Sequence, residues 1–247
     1  MNNCKFHTAG STAALAYAIS YLKNMDYTIV AQPEDATHLL LPVPSFESDG
    51  SIKGGGTLSA LLSNLPRGIT ILGGNLECPE LAGWNTVDFL QDPLYLAQNA
   101  SITAHCAIKL AMTKLPVTLE NQPVLVIGWG RIGKCLARLL RQLDAEVTVA
   151  ARKEVDRAML SALGYSTADT AQLDTAPFRV IFNTVPHPLS PYNPGKALKI
   201  DLASSLGLGG PDVIWARGLP SKDAPESSGE LIARTAIRIA AGKEFFT

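Results

Sequence analysis

The sequence predicts an α/β chain of two parallel-sheet domains, joined by a long helical bridge, with a carboxy-terminal helix returning to the first domain. Three observations predict it. Short apolar runs alternate with stretches of helical spacing in both halves, which is the pattern of parallel sheets. One such run, Pro123 to Ile127, passes straight into Gly128-Trp129-Gly130-Arg131-Ile132-Gly133 and a helix-patterned segment. Between the halves, Asp92-Pro93 to Leu115-Pro116 reads as one long helical stretch. The expected domains are residues 1–92, with 225–247 docking back on the substrate side, and 93–224, which bind the nucleotide.

Composition bounds the function. The 247 residues are 47% hydrophobic and 17% charged, enough apolar material for a proper core around buried sheets. A net charge of -1 and a pI of about 6.4 point away from nucleic acid and anionic membranes as partners. Cys4, Cys78, Cys106 and Cys135 are scattered and show no metal-type pairing. Met1-Asn2-Asn3-Cys4-Lys5 lacks the apolar core of a leader, and no run reaches the roughly 18 apolar residues of a membrane span. A reducing, cytoplasmic compartment is expected.

In the first half, strands are expected at Cys4–Thr8, Tyr27–Val30, His38–Leu41, Ile69–Leu72 and Val87–Leu90, with a helix over Thr12–Lys23. Ligands of parallel sheets sit beyond the carboxyl ends of the strands. That directs attention to Pro44-Ser45, before the polar Phe46–Gly56 loop, and to Gly73-Gly74-Asn75. Pro93 suits a first helical turn and Pro116 ends the bridge, with an interruption expected near Asn99 to Thr103. A bridge of this kind would line a cleft, which makes Asn99, Ser101 and Thr103 candidate substrate contacts and His105 a candidate catalytic group.

The glycine series is the chemical centre of the chain. Gly128 permits the tight exit from the strand, Gly130 lets the backbone approach a pyrophosphate, and Gly133 lets the helix pack closely. Free N–H groups at the helix start, around Trp129, Arg131 and Ile132, then face the phosphates. The next strand ends in Val149-Ala150-Ala151-Arg152-Lys153, where an NAD-preferring site carries a carboxylate for the ribose hydroxyls. Here no carboxylate stands to repel a 2′-phosphate and two cations stand to bind one, so NADP(H) is favoured over NAD(H). The alternative for Arg152 is stacking on the adenine of either cofactor. Further strands, Val180–His187, Ala197–Ser205 and Val213–Ala216, bring Asn183, Thr184, Val185, Pro186, Asp201, Ala203, Gly218 and Leu219 to the same cleft as cofactor contacts. His187 stands where an acid or base could reach a substrate. A last amphipathic helix starts at Pro225, with Ser227-Ser228-Gly229-Glu230 resembling a cap.

Several of these stretches resemble one family. Leu41-Pro42-Val43-Pro44, Val126 to Gly133, Val149 to Lys153, Asn183 to Pro186, Ile200-Asp201-Leu202-Ala203-Ser204 and Gly218 to Ile232 are similar, in order, to the A-type subunit of dipicolinate synthase. The resemblance implies two Rossmann-like domains in the layout of D-2-hydroxyacid dehydrogenases and S-adenosylhomocysteine hydrolases. It implies a partner, the flavoprotein B-type subunit of dipicolinate synthase; a homo-oligomer is expected as well. It also implies oxidation of dihydrodipicolinate, or its hydroxy-tetrahydro precursor, to dipicolinate in spore-forming bacteria. A dicarboxylate of this kind needs cations or N–H donors. Arg217, Lys222 and the backbone at Ser45 and Gly74 are candidates by position. The chain departs from the family at Ala9-Gly10-Ser11-Thr12, at His105-Cys106 and after Ser204.

Two other functions are consistent with the residues: another NAD(P)-dependent dehydrogenase of a small carboxylated substrate, and a non-catalytic nucleotide-binding regulatory subunit. Hydrolase, NTPase and zinc readings lack their residue patterns.

Overall fold

A computed structural model describes residues 4–189 and 195–242; Met1 to Asn3, part of the leader reading, lie outside them. In chain order the elements are β1 (Lys5–Thr8), α1 (Ala13–Asn24), β2 (Thr28–Ile29), β3 (His38–Leu40), α2 (Leu58–Leu62), β4 (Thr70–Gly73), β5 (Asn85–Asp88) and α3 (Pro93–Lys114). Then come β6 (Pro123–Ile127), α4 (Arg131–Gln142), β7 (Glu146–Ala150), α5 (Glu154–Ala162), β8 (Ser166–Ala168) and β9 (Val180–Asn183). β10 (Leu198–Asp201), β11 (Val213–Trp215), α6 (Leu219–Asp223) and α7 (Pro225–Ala240) complete the chain. Two compact units result: residues up to Asn99 with those from Pro220 onward, and Ala100 to Leu219.

The first unit holds a five-stranded parallel sheet in the order β2-β1-β3-β4-β5. Phe6, Leu39, Leu40, Ile71 and Leu72 are wholly buried, as central strands covered on both faces require. Thr12 caps α1, its Oγ1 accepting from Leu15 N at 3.2 Å. Helix α7 returns to this unit and packs on α1. A Cβ at Gly229 would lie 2.5 Å from both Ala14 O and Tyr17 Cβ, so only glycine permits that approach. Asp92 fastens the end of α7. Its Oδ1 accepts from Leu94 N and Tyr95 N at the start of α3, and its Oδ2 pairs with Arg238.

Two local expectations are corrected here. Helix α3 runs unbroken through Asn99 to Thr103, because Ala100, Ala104, Ala107 and Ala111 form a buried stripe of the strongest helix former. Helix α7 begins at Pro225, so Ser228 is buried inside it and Glu230 pairs with Arg234 at 2.6 Å instead of reaching back as a cap. The pattern also missed α2, α6 and β8, each of five residues or fewer.

The second unit holds a six-stranded parallel sheet, β11-β10-β9-β6-β7-β8. From β6 the chain moves outward through β7 and β8, then returns to the other side of β6 and moves outward through β9, β10 and β11. The reversal between β6 and β9 opens a crevice beyond the strand ends.

Candidate functional site

The site starts at the carboxyl end of β6. Gly128 N donates to Ala150 O (2.8 Å) and Thr184 N to Ile127 O (2.9 Å), so three strand ends form one shelf. Gly128 has φ +104°, and a Cβ there would lie 2.4 Å from Thr184 Oγ1. A Cβ on Gly133 would lie 2.1 Å from Gly128 O. These two glycines answer to the protein's own packing. Gly130 does not: its φ is -83° and a Cβ would meet nothing within 4 Å. As the N-cap, Gly130 offers no side chain to the N–H groups of that turn. An anion fits this cradle.

Beyond β7 the chain turns at Ala151-Arg152-Lys153. Arg157 fixes the turn from below, donating to Ala151 O (2.8 Å) and Arg152 O (2.9 Å) while pairing with Asp169 at 3.2 Å. Arg152 and Lys153 are exposed, and among the described residues neither side chain has an ion-pair partner. Two unengaged cations in a fixed turn suit a phosphate.

The third wall is the loop after β9. Asn183 is buried and bonds its own turn twice, Nδ2 donating to Val185 O (2.9 Å) and Oδ1 accepting from Val185 N (3.0 Å). Its Nδ2 also donates to Asp201 Oδ2 (2.9 Å). Asp201, wholly buried, accepts further from Ala203 N, Gly207 N and Leu208 N at 2.8–2.9 Å. Asn183, Asp201 and Ala203 therefore lie beneath the shelf as scaffold. Thr184 joins them, donating from Oγ1 to Ile127 O (2.9 Å).

Together these walls enclose a cavity of about 470 Å³, within the range of small-molecule sites. Gly128, Trp129, Ala151, Arg152, Lys153 and Val185 line it, all expected as cofactor contacts. Trp129 is held at its edge by Tyr165 (ring centroids 6.0 Å apart) and by Lys134 over its ring (5.6 Å). The glycine cradle and the unpaired cations fit the phosphates of a dinucleotide. Arg131 and Ile132 open α4 beside the cavity, and Pro186 is exposed in the loop above it. Gly218 and Leu219 follow β11 and do not line the cavity.

Of the remaining candidates, only His187 borders this cavity among the described residues. His187 lines this cavity, next to Pro188 and Leu189. His105 is exposed on α3, its Nδ1 2.9 Å from Ser101 O, and borders a separate cavity of about 180 Å³ with Leu139 and Leu143 at the far end of α4. Thr103 is buried, while Asn99 and Ser101 are half-buried. Ser45 is wholly buried. Its Oγ donates to Pro42 O (2.8 Å) and accepts from Gly74 N (3.0 Å), and its own N donates to Gly74 O (2.8 Å). The polar groups of Ser45 and Gly74 thus serve each other. Arg217 is exposed and lies over the Trp215 ring at 5.2 Å, and Lys222 is exposed on α6.

The sequence reading missed Asp156, Thr170 and Ala171 on the cavity wall. Asp156 sits in the first turn of α5, past the basic pair and away from any strand end. Thr170 and Ala171 follow β8, whose three residues are too short to show alternation. Among the described residues no His, Cys, Asp and Glu cluster could hold a metal, and no helix is long and apolar enough to cross a membrane.

No protein-family model matches the chain. It is 28% identical over 162 residues to the A-type subunit of dipicolinate synthase from Bacillus subtilis, a match spanning 58% of this chain and about half (53%) of that relative. In fold it superposes on the crystal structure of the corresponding dipicolinate synthase subunit from Bacillus halodurans with a TM-score of 0.83 and 19% identity, covering 97% of this chain and 98% of that one. The Bacillus subtilis structure gives 0.81 and 21%, over 99% of each chain. A Salmonella D-lactate dehydrogenase structure shares the fold more distantly, at 0.59 and 14%, over 98% and 97%. The chain is thus a two-domain α/β protein of the dehydrogenase type of fold, and the resemblance to the A-type subunit of dipicolinate synthase holds in sequence over more than half of its length and in fold over nearly all of it.

Proposed function

We propose that the chain is an NADP-dependent oxidoreductase of the dipicolinate synthase type. Its substrate is dihydrodipicolinate or the hydroxy-tetrahydro precursor, and the flavoprotein B-type subunit of that enzyme works with it in sporulating cells. The observation that carries the cofactor part is the pair of unpartnered cations, Arg152 and Lys153, on a cavity that opens from the glycine turn. The similarity to the A-type subunit supports the substrate part.

When bound, the nicotinamide supplies a hydride acceptor. Converting the dihydro ring to the aromatic one removes a hydride and a proton, so the protein's task is chiefly to align the two rings. The first-turn N–H groups of α4 and the bare backbone of Gly130 hold the pyrophosphate. Arg152 would hold the 2′-phosphate with its guanidinium N–H groups, and Lys153 would add a point charge. Arg217, exposed beyond β11, is the proposed partner of a substrate carboxylate.

The test is turnover. The purified chain, the flavoprotein, NADP and dihydrodipicolinate together are expected to generate dipicolinate absorbance and NADPH at equal rates. Binding of NADPH without any dipicolinate formed, even with the flavoprotein present, would replace this reading with that of a regulatory nucleotide-binding subunit.

A further inference from the structure

The cavity beside the glycine turn occupies one side of the sheet's reversal. With the pyrophosphate at the crevice between β6 and β9, one half of a dinucleotide extends over β7 and β8 and the other over β9 and β10. The walls come from the ends of β6, β7 and β8, through residues such as Gly128, Arg152 and Thr170, and from the loop after β9. Among the described residues, none that follows β10 or β11 contributes to them. His187 therefore shares its cavity with the phosphate-reading cations, and the cleft over β10 lies on the other side of the pyrophosphate.

The loop that carries His187 is held in place. Ser205 Oγ donates to Pro186 O (2.8 Å), and Leu189 N donates to Gly207 O (2.9 Å). Gly207 packs directly beneath it, where a Cβ would lie 2.6 Å from Val185 O and 2.8 Å from His187 O. Gly207 in turn is held by its N–H bond to Asp201. The result is a prearranged wall on which His187 lines the cavity together with the apolar residues Val185, Pro188 and Leu189. A planar ring among apolar neighbours is a surface on which a purine stacks.

We infer that His187 binds the adenine of the dinucleotide and is a cofactor-binding residue, where the sequence alone suggested an acid or base. This inference rests on the dinucleotide reading of the cavity. The probe that isolates it is 2′,5′-ADP, which carries the adenosine half and the extra phosphate but no nicotinamide. Calorimetric titration of the full chain with 2′,5′-ADP and with NADPH is expected to show His187→Ala weakening both by the same factor, about tenfold. His187→Phe, which keeps a flat ring, is expected to recover most of that loss. Unchanged 2′,5′-ADP affinity in His187→Ala, with turnover lost at saturating NADP, would overturn the assignment and return His187 to catalysis. A wild-type chain that binds neither compound would overturn the dinucleotide reading itself, and this inference with it.

Discussion

Asn183 Nδ2 donates to Asp201 Oδ2 over 2.9 Å, joining the ends of two neighbouring strands in a buried bond beneath the shelf beside the glycine turn. Both residues look like ligand contacts in the sequence, because each is polar and closes an apolar strand. In the fold Asp201 instead gathers the N–H groups of Ala203, Gly207 and Leu208, and so places the loop that backs the cavity wall.

Asp201→Ala would leave those donors and the Asn183 amide buried without their acceptor. Charge-assisted bonds of this kind make the expected loss about 3 kcal/mol, measured as a lower denaturation midpoint. Cofactor affinity should fall with it as the loop relaxes. A variant with wild-type midpoint and wild-type affinity would show that the shelf stands without its carboxylate.

The three glycines of the turn should separate cleanly. Gly133→Ala places a methyl group against Gly128 O, and Gly128→Ala combines a positive φ with a clash on Thr184, so both should lower the melting temperature. Gly130→Ala has an ordinary φ and open space around it, and its melting temperature should match wild type. Its dinucleotide affinity should nevertheless drop by about tenfold or more, because the methyl group enters the phosphate cradle. Equal melting and equal binding in all three variants would contradict the assignment of the turn.

The glycine turn was legible because strand, turn and helix follow one another without a gap, and each step has its own residue signature. The basic pair after β7 was legible for the same reason, since it occupies a fixed offset from Gly128. What the sequence concealed depends on distance along the chain. Asp201 and Asn183 are 18 residues apart, and nothing local reveals that they spend their hydrogen bonds on each other. Ser45 and Gly74, 29 residues apart, conceal theirs in the same way. His187 was visible as a residue at a strand end, yet only the folded chain shows that its loop borders the same cavity as Arg152 and Lys153.

His38 gives the fold an acid sensitivity. Its ring lies 5.2 Å from that of Phe6, and burial holds its imidazole below the ordinary 6.5. The folded state therefore binds fewer protons than the unfolded one, so the contribution is fully present above about pH 6.5 and is lost as pH falls below it. Melting temperatures measured from about pH 7.5 down to about pH 5 should decline, and His38→Phe should flatten that slope. Identical slopes in the two proteins would remove His38 as the cause.

The claim on which the functional account turns is that Arg152 and Lys153 read a phosphate on the ribose. Its most direct test is a fluorescence titration of the wild-type chain and of the Arg152→Ala/Lys153→Ala double variant with NADPH and with NADH. The account predicts that wild type binds NADPH at least about tenfold more tightly than NADH and that the double variant binds the two alike. Equal affinities in wild type, or a preference that survives removal of both cations, would contradict it.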